Sequence, residues 1–276
     1  MKYMKKRKEK ATGKGIYILP NLLTSISLLS GFYAIVVASG LERQFYIAAI
    51  AIFISCIFDM LDGRVARLTH STSKFGVEYD SLADVIAFGV APAVLVYTWA
   101  LRSYGRFGWL AAFLFVACGA MRLARFNIQV DTVQKKSFLG LPIPAAAAAI
   151  AGCVLLYTAT WSDGSISDMW LQYRGVLKSI FMPLLIYVLA FLMVSNIRYY
   201  SFKDLSYFKG RPFRSTVAAI MLIVIILSEP KITLFLGTLG YVISGPIYSL
   251  MLKIKKPVSE EATHPKETPT SPSGRL

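Results

Sequence analysis

Long stretches without a charged side chain divide this sequence, and they limit the chain to folds that place apolar helices in lipid. Each stretch approaches the roughly 20 residues that a helix needs to cross the hydrocarbon layer. Because backbone polar groups in lipid must be bonded internally, we interpret these stretches as helices. The sequence therefore predicts an all-α integral membrane protein with about eight transmembrane helices, at residues 18–39, 44–62, 79–101, 107–122, 138–161, 177–197, 214–229 and 232–252.

The distribution of lysine and arginine predicts how these helices are oriented. When the lysine-rich N-terminus is placed in the cytoplasm, all but six of the 30 lysines and arginines lie on that side. This bias agrees with the positive-inside rule. Topology thus explains the net charge of +15, and nucleic acid is not an expected partner. We expect a protein of the bacterial inner (cytoplasmic) membrane, with both termini on the cytoplasmic side.

Four aspartates stand where the second and third spans meet the cytoplasm. Asp59 and Asp62 are three residues apart, and Asp80 and Asp84 are four apart, so each pair shares one helix face. The connection between the two spans is short, which makes the two helices antiparallel neighbours. We therefore expect the two acidic faces to meet at one end of the bundle.

Such a cluster of carboxylates is unfavourable unless cations lie within it. One aspartate at the centre of a spanning helix costs about 2.5–3.5 kcal/mol on an insertion scale, and like charges repel one another. Oxygen ligands without a nearby histidine or cysteine favour Mg²⁺ or Mn²⁺. We therefore predict that these four aspartates hold two divalent cations, a pair that commonly clamps a phosphate.

Small residues and one arginine surround the aspartates. Gly63 and Ala66 follow on the second span and leave room for a nucleotide against the helix backbone. We expect Gly76 to break the connection before the third span and to let a phosphate approach. Arg67 offers a planar donor to a phosphate or to the carboxylates. Each small residue alone would indicate packing, and only the neighbouring aspartates favour a binding role.

The complete pattern resembles the signature of the CDP-alcohol phosphotransferase family. It is Asp59-x-x-Asp62-Gly63-x-x-Ala66-Arg67, then eight residues, Gly76, three residues, Asp80, three residues and Asp84. No signature position departs from the family's pattern. The segment from Pro20 to Thr24 also looks like the family's nucleotide-side element. The resemblance extends from about residue 16 to residue 200.

This resemblance implies an architecture and a set of roles. The family has six core helices, forms homodimers and has a polar cavity open to the cytoplasm. By resemblance, Asp59, Asp62 and Asp80 bind metal, while Asp84 binds metal and is the general base. The nucleotide would contact Asn21, Thr24, Asp62, Gly63, Ala66, Arg67 and Gly76.

Three further stretches resemble the membrane-integral phosphatidylserine synthases within this family. They are residues 75–92, residues 122–127 and residues 140–146, with the sequences FGVEYDSLADVIAFGVAP, RLARFN and GLPIPAA. This resemblance implies transfer of a phosphatidyl group from CDP-diacylglycerol to L-serine, with release of CMP. We expect the serine hydroxyl to attack directly, because no strong covalent nucleophile stands near the motif. Glycerol 3-phosphate, inositol phosphate and choline stay open as acceptors.

Two arginines at the end of the fourth span are candidates for binding the acceptor. Arg122 and Arg125 stand at the same depth as the aspartates, and arginine is suited to bidentate recognition of a carboxylate. The alternative is a charge pair that ends the span and contacts lipid phosphates. A cation transporter is the remote alternative for the whole chain, since acids within spans often mark ion paths. The clustering of all four aspartates at one end of the spans favours the enzyme.

On this interpretation the chain has four parts. Residues 1–15 form a basic cytoplasmic N-terminus, and residues 16–200 form the phosphotransferase core. Residues 201–253 contain an interfacial segment and two additional spans. Residues 254–276 are rich in Pro, Thr, Ser and Glu, which predicts a disordered cytoplasmic tail.

Overall fold

The computed structural model describes residues 18–69, 71–129, 137–162, 177–200, 216–217, 220–221, 224 and 228–255. Several predicted features lie outside these residues. They are the basic N-terminus 1–15, most of the interfacial segment 198–213, most of the predicted span 214–229 and nearly all of the predicted tail 254–276.

The described chain is almost entirely helical. Its helices are α1 (Ile18–Ser39), α2 (Phe45–Leu68), α3 (Lys74–Tyr104), α4 (Arg106–Gln129), α5 (Ile143–Ser162), α6 (Met182–Val194) and α7 (Pro230–Lys255). Within the described residues, five helices are long and apolar enough to cross a membrane, namely α1, α2, α3, α4 and α7. A shorter apolar helical stretch, Ile143–Thr158, lies in α5, and another, Lys178–Val194, joins the π-helical turn Leu177–Phe181 to α6. This is the architecture of an integral membrane protein.

Three predicted helix boundaries near the aspartates are wrong. Helix α2 continues beyond residue 62 to Leu68, and α3 begins at Lys74 rather than at residue 79. The predicted connection 63–78 is therefore only residues 69–73. Helix α4 likewise continues beyond residue 122 to Gln129. Basic residues end an apolar run, but they do not end a helix, because arginine and lysine are good helix formers.

The start of α3 explains the role of Gly76 in the fold. The Ser73 side chain caps this helix and accepts a hydrogen bond of 3.0 Å from the Gly76 amide. Gly76 thus lies in the first turn of α3, and the prediction that it breaks the connection is wrong. A Cβ atom at Gly76 would lie 3.2 Å from Asn21 Oδ1, so the glycine lets α3 approach α1 closely.

Helix α3 contains two π-helical turns. Lys74–Asp84 and Ala91–Val96 are α-helical, whereas Val85–Val90 and Tyr97–Leu101 form wider π-helical turns. Such turns shift the side chains that follow them around the helix axis. Ala87, in the first π-helical turn, packs against Gly31 of α1, where an added Cβ would lie 2.5 Å from the Ala87 Cα. The contact of α1 with α3 therefore requires glycine at residue 31.

Small polar residues join α1 to α2. The Ser27 and Ser55 hydroxyls lie 2.8 Å apart, and Ser30 donates to the Ala51 carbonyl over 2.8 Å. Serine lets two helix backbones come close, and its hydroxyl finds a partner where no water is present. These contacts fix α1 along the helix that carries Asp59 and Asp62.

The structure also contains a short two-stranded β-ribbon. The all-α prediction did not include it. Strand β1 (Ser137–Leu139) pairs antiparallel with β2 (Arg198–Tyr200), and Leu139 lies opposite Arg198. Gly140 has φ of +77° and donates its amide to the Ile197 carbonyl over 2.9 Å. Because a left-handed glycine cannot continue a helix, α5 begins at Ile143 rather than at the predicted residue 138.

Candidate active site

Carboxylates of α2 and α3 converge at one end of the bundle. One oxygen from each of Asp59, Asp62 and Asp80 lies within 4.8 Å of the others. Asp84, one turn further along α3, approaches Asp59 closely enough for a side-chain hydrogen bond. The prediction that the two acidic faces meet is confirmed.

This cluster fits a divalent cation. Asp62 is only 4% exposed and the other three aspartates are half-buried, so water solvates their charges poorly. Crowded carboxylates in such surroundings repel one another, and hard cations with oxygen ligands relieve that repulsion. The donor atoms of Asp59, Asp62 and Asp80 are all carboxylate oxygens, as Mg²⁺ or Mn²⁺ prefers.

Helix α1 holds both acidic helices through hydroxyl groups. Thr24 Oγ1 donates to Asp62 Oδ2 over 2.7 Å. The hydroxyls of Ser25 and Tyr79 lie 2.9 Å apart, and Tyr79 immediately precedes Asp80. The first contact orients one carboxylate directly, and the second fixes the turn of α3 that carries another.

A cavity of about 180 Å³ opens beside Asp62 and Asp80. Its lining includes every residue that the sequence predicted on the nucleotide side, namely Asn21, Thr24, Asp62, Gly63, Ala66, Arg67 and Gly76. Pro20, from the predicted nucleotide-side segment, also lines it, and the sequence analysis missed the lining residues Ser71, Thr72, Ser73 and Val77. Ser73 could have been identified, because a serine just before a helix is a common N-cap.

Arg122 is not among the residues that line this cavity. Its side chain is 7% exposed, its guanidinium is 5.7 Å from the Phe126 ring centroid, and it interacts electrostatically with Asp84. Its Nε atom is buried and has no hydrogen-bond partner in the part of the chain that the structure describes. A buried guanidinium nitrogen without a partner is unfavourable, so this atom is suited to meet an anionic ligand.

Arg125, by contrast, is bound to the protein itself. Its Nη1 donates to the Val194 carbonyl over 3.3 Å and to Asn196 Oδ1 over 3.2 Å. Its Nη2 donates to the Leu139 carbonyl over 3.3 Å and to the Ser195 carbonyl over 3.2 Å. Arg125 thus ties the end of α6 to the β-ribbon, a contact that the sequence analysis missed.

Comparison with known sequences decides the family. The sequence model of the family described as CDP-alcohol phosphatidyltransferase matches residues 17–184. This chain belongs to the CDP-alcohol phosphatidyltransferase family. The resemblance predicted from the aspartate signature is confirmed.

Curated relatives of this family member all have serine in their names. The CDP-diacylglycerol–serine O-phosphatidyltransferase of Helicobacter pylori is 40% identical over 243 residues, which cover 87% of this chain and 94% of that enzyme. The enzyme of the same name from Mycobacterium tuberculosis is 36% identical over 174 residues, 60% of each chain. The archaetidylserine synthase of Methanothermobacter thermautotrophicus is 41% identical over 139 residues, 50% of this chain and 58% of that enzyme.

The extent of these matches separates two parts of this family member. The family region ends at residue 184, before α7. The Helicobacter pylori match covers 87% of the chain and therefore reaches into α7. Helix α7 thus lies outside the region that defines the family, and at least its first part lies inside the region shared with that relative.

Proposed function

We propose that this protein transfers the phosphatidyl group of CDP-diacylglycerol to L-serine and releases CMP. The observation that carries this proposal is the convergence of Asp59, Asp62 and Asp80 beside the cavity lined by the family's nucleotide motif. The similarity to serine O-phosphatidyltransferases over most of the chain supports the reaction class and the acceptor.

The aspartates would hold two divalent cations, Mg²⁺ or Mn²⁺. Asp59, Asp62 and Asp80 have the shared geometry for this, and Asp84 joins them through its contact with Asp59. When bound, such cations neutralise the charge that develops on the transferred phosphate. Thr24 would keep Asp62 oriented through its 2.7 Å hydrogen bond.

The chain's own residues would bind the donor. The cavity lined by Gly63, Ala66 and Gly76 would take the cytidine diphosphate, because residues without large side chains let it reach the helix backbones. Arg67 lines the same cavity and would donate to a phosphate oxygen. The acyl chains would remain in the surrounding lipid.

Asp84 would serve as the general base. It would take the proton from the serine hydroxyl, whose oxygen then bonds to the phosphorus that carries diacylglycerol. The bond from that phosphorus to the bridging oxygen breaks, and CMP leaves with the electron pair. Arg122, beside Asp84, would bind the serine carboxylate.

Acceptors other than serine are the main alternatives to this proposal. The relatives' names differ in the lipid, since one is an archaetidylserine synthase, but each name contains serine. A phosphorylated acceptor would need a denser basic site, and Arg125 already donates to four acceptors of the protein. The geometry therefore favours a carboxylate with one arginine over a phosphate with several.

The membrane arrangement completes the proposal. We propose eight spans, with α5, α6 and the segment 214–229 crossing in addition to the five long apolar helices. The aspartates and both termini would face the cytoplasm of a bacterial inner membrane. The chain would function as a homodimer, with a core at residues 16–200, two further spans within 201–253 and a tail from residue 254.

One assay tests this function directly. Purified protein is incubated with CDP-diacylglycerol, Mg²⁺ or Mn²⁺, and separately with L-serine, glycerol 3-phosphate, inositol phosphate or choline, and CMP is measured. We expect CMP release that requires both the metal and L-serine, with phosphatidylserine as the lipid product. CMP release with another alcohol and none with serine would refute the proposed acceptor, and no release with any alcohol would refute the reaction class.

A further inference from the structure

Helix α7 is fastened to the family core, although it lies outside the matched region. Gly152 of α5 faces α7, and a Cβ atom there would lie 3.2 Å from the Phe235 Cα. This spacing brings the two helix backbones as close as glycine allows. The position of α7 relative to α5 is thus defined by backbone contact.

The β-ribbon fixes α7 from a second direction. Tyr199 of β2 is fully buried and donates its hydroxyl to the Val242 carbonyl over 3.2 Å. Its ring lies against Gly245, where an added Cβ would be 2.2 Å from the ring. These contacts fix the position of α7 along its axis and its rotation about that axis, in the turn that follows Tyr241.

The contacts of α7 hold Tyr241 within electrostatic reach of Arg122. The Tyr241 and Tyr199 rings are 5.6 Å apart, and Tyr241 interacts electrostatically with the Arg122 guanidinium. Tyr241 and Ala145 line one open cavity between α7 and the start of α5. The neighbouring Pro144 carbonyl is 3.9 Å from Cys56 Sγ, and Cys56 precedes Asp59 by one helical turn. The start of α5, which borders the open cavity, is thus joined to the turn of α2 that precedes Asp59.

We infer that Tyr241 is part of the acceptor site and binds, together with Arg122, the carboxylate of an amino-acid acceptor. The inference rests on the proposed function. Two observations carry it: the buried Arg122 Nε without a partner among the described residues, and the arrangement that brings Tyr241 to that guanidinium. A phenol hydroxyl and a guanidinium are both donors, and a carboxylate accepts from both at once. Helix α7 would thus supply a specificity-determining residue that the family region lacks.

Replacement of Tyr241 by phenylalanine tests this inference, because it removes one hydroxyl and keeps the ring. We expect Tyr241→Phe to raise the KM for L-serine about tenfold, as a lost hydrogen bond to a charged group does. The KM for CDP-diacylglycerol should stay within about twofold, since Tyr241 is not among the residues that line the nucleotide cavity. The matched control is Tyr248→Phe, an exposed tyrosine of the same helix, which should leave both KM values unchanged.

A double substitution separates ligand binding from packing. If Arg122 and Tyr241 bind the same carboxylate, Arg122→Gln and Tyr241→Phe should be non-additive in the serine KM. An unchanged serine KM in Tyr241→Phe, or equal changes in both KM values, would overturn the inference and leave the proposed function standing. If the wild-type enzyme fails to use serine at all, the proposed function and this inference both fall, and the wild-type assay shows that first.

Discussion

The nucleotide side and the acceptor side of the candidate site are built in different ways. On the nucleotide side, α1, α2 and the first turns of α3 enclose a cavity with residues from Pro20 to Asp80. On the proposed acceptor side, Arg122 of α4 and Tyr241 of α7 interact electrostatically. The first side comes from neighbouring helices in sequence, while the second brings together distant ones. We propose that the first side carries the common chemistry and that the second carries the choice of acceptor.

The largest loss of activity is expected from substitutions in the acidic cluster, which lies between the two sides. Asp59→Asn or Asp80→Asn should lower kcat about 100- to 1,000-fold, because a preorganised charge at the reacting phosphate is lost. The variants should still fold, since removing one of several crowded charges reduces repulsion. CMP release is the measurement. The control is Glu78→Gln, which changes an exposed acid of α3, the helix that carries Asp80. Near wild-type turnover in either aspartate variant would remove it from the catalytic centre.

A smaller loss of activity is expected when the hydrogen bond that orients Asp62 is removed and the aspartates themselves are kept. Thr24→Val keeps the shape of the side chain but removes the 2.7 Å hydrogen bond to Asp62. A hydrogen bond to a charged group contributes about 1.5–3 kcal/mol, so we expect kcat/KM to fall about 10- to 100-fold and the required Mn²⁺ concentration to rise. Thr98→Val is the control, because Thr98 donates only to carbonyls of its own helix. If both threonine variants behave alike, α1 does not orient the metal site.

The two predicted arginines should differ in their effects. Arg122→Gln should raise the serine KM about tenfold with little change in the KM for CDP-diacylglycerol. Arg125→Gln should instead lower the thermal unfolding temperature and change both KM values by a similar factor, because it breaks four bonds to the ends of α6 and β1. Steady-state kinetics and thermal unfolding in detergent give both results. A serine-selective effect of Arg125→Gln would restore it to the acceptor site.

The smallest effect should come from the contact that holds α7. Tyr199→Phe removes the 3.2 Å hydrogen bond to the Val242 carbonyl and should lower the free energy of unfolding by about 1 kcal/mol. Burial, and then the neighbouring Tyr241, raise the pKa of Tyr199 to about 12. Tyr199 thus stays a neutral donor, and the difference in thermal unfolding between wild type and variant should be constant from pH 6 to 9. A difference that disappears below pH 9 would contradict this role.

The same contrast shows what the sequence could predict. Fixed spacings along α2 and α3 predict which carboxylates share a face, and the structure brings those faces together. All the predicted nucleotide-side residues line one cavity, because they lie on three helices that follow one another in the sequence. The functional roles of these residues stay predictions.

The acceptor side could not be predicted in the same way. No local pattern indicates that Arg125 binds the end of α6, or that Gly245 receives the Tyr199 ring. Such contacts depend on the packing of helices that are far apart in sequence. The ends of α2 and α4 were misplaced for a different reason, since hydrophobicity reports where the lipid ends and not where the helix ends.

The most direct test of the central claim is equilibrium Mn²⁺ binding, measured by the electron paramagnetic resonance of free Mn²⁺ in titrations of detergent-purified protein. We predict two Mn²⁺ ions per chain for the wild type with CDP-diacylglycerol present, weaker binding in Asp62→Asn and Asp80→Asn, and wild-type binding in the Glu78→Gln control. Equal Mn²⁺ binding by the wild type and both aspartate variants would contradict a metal centre between α2 and α3.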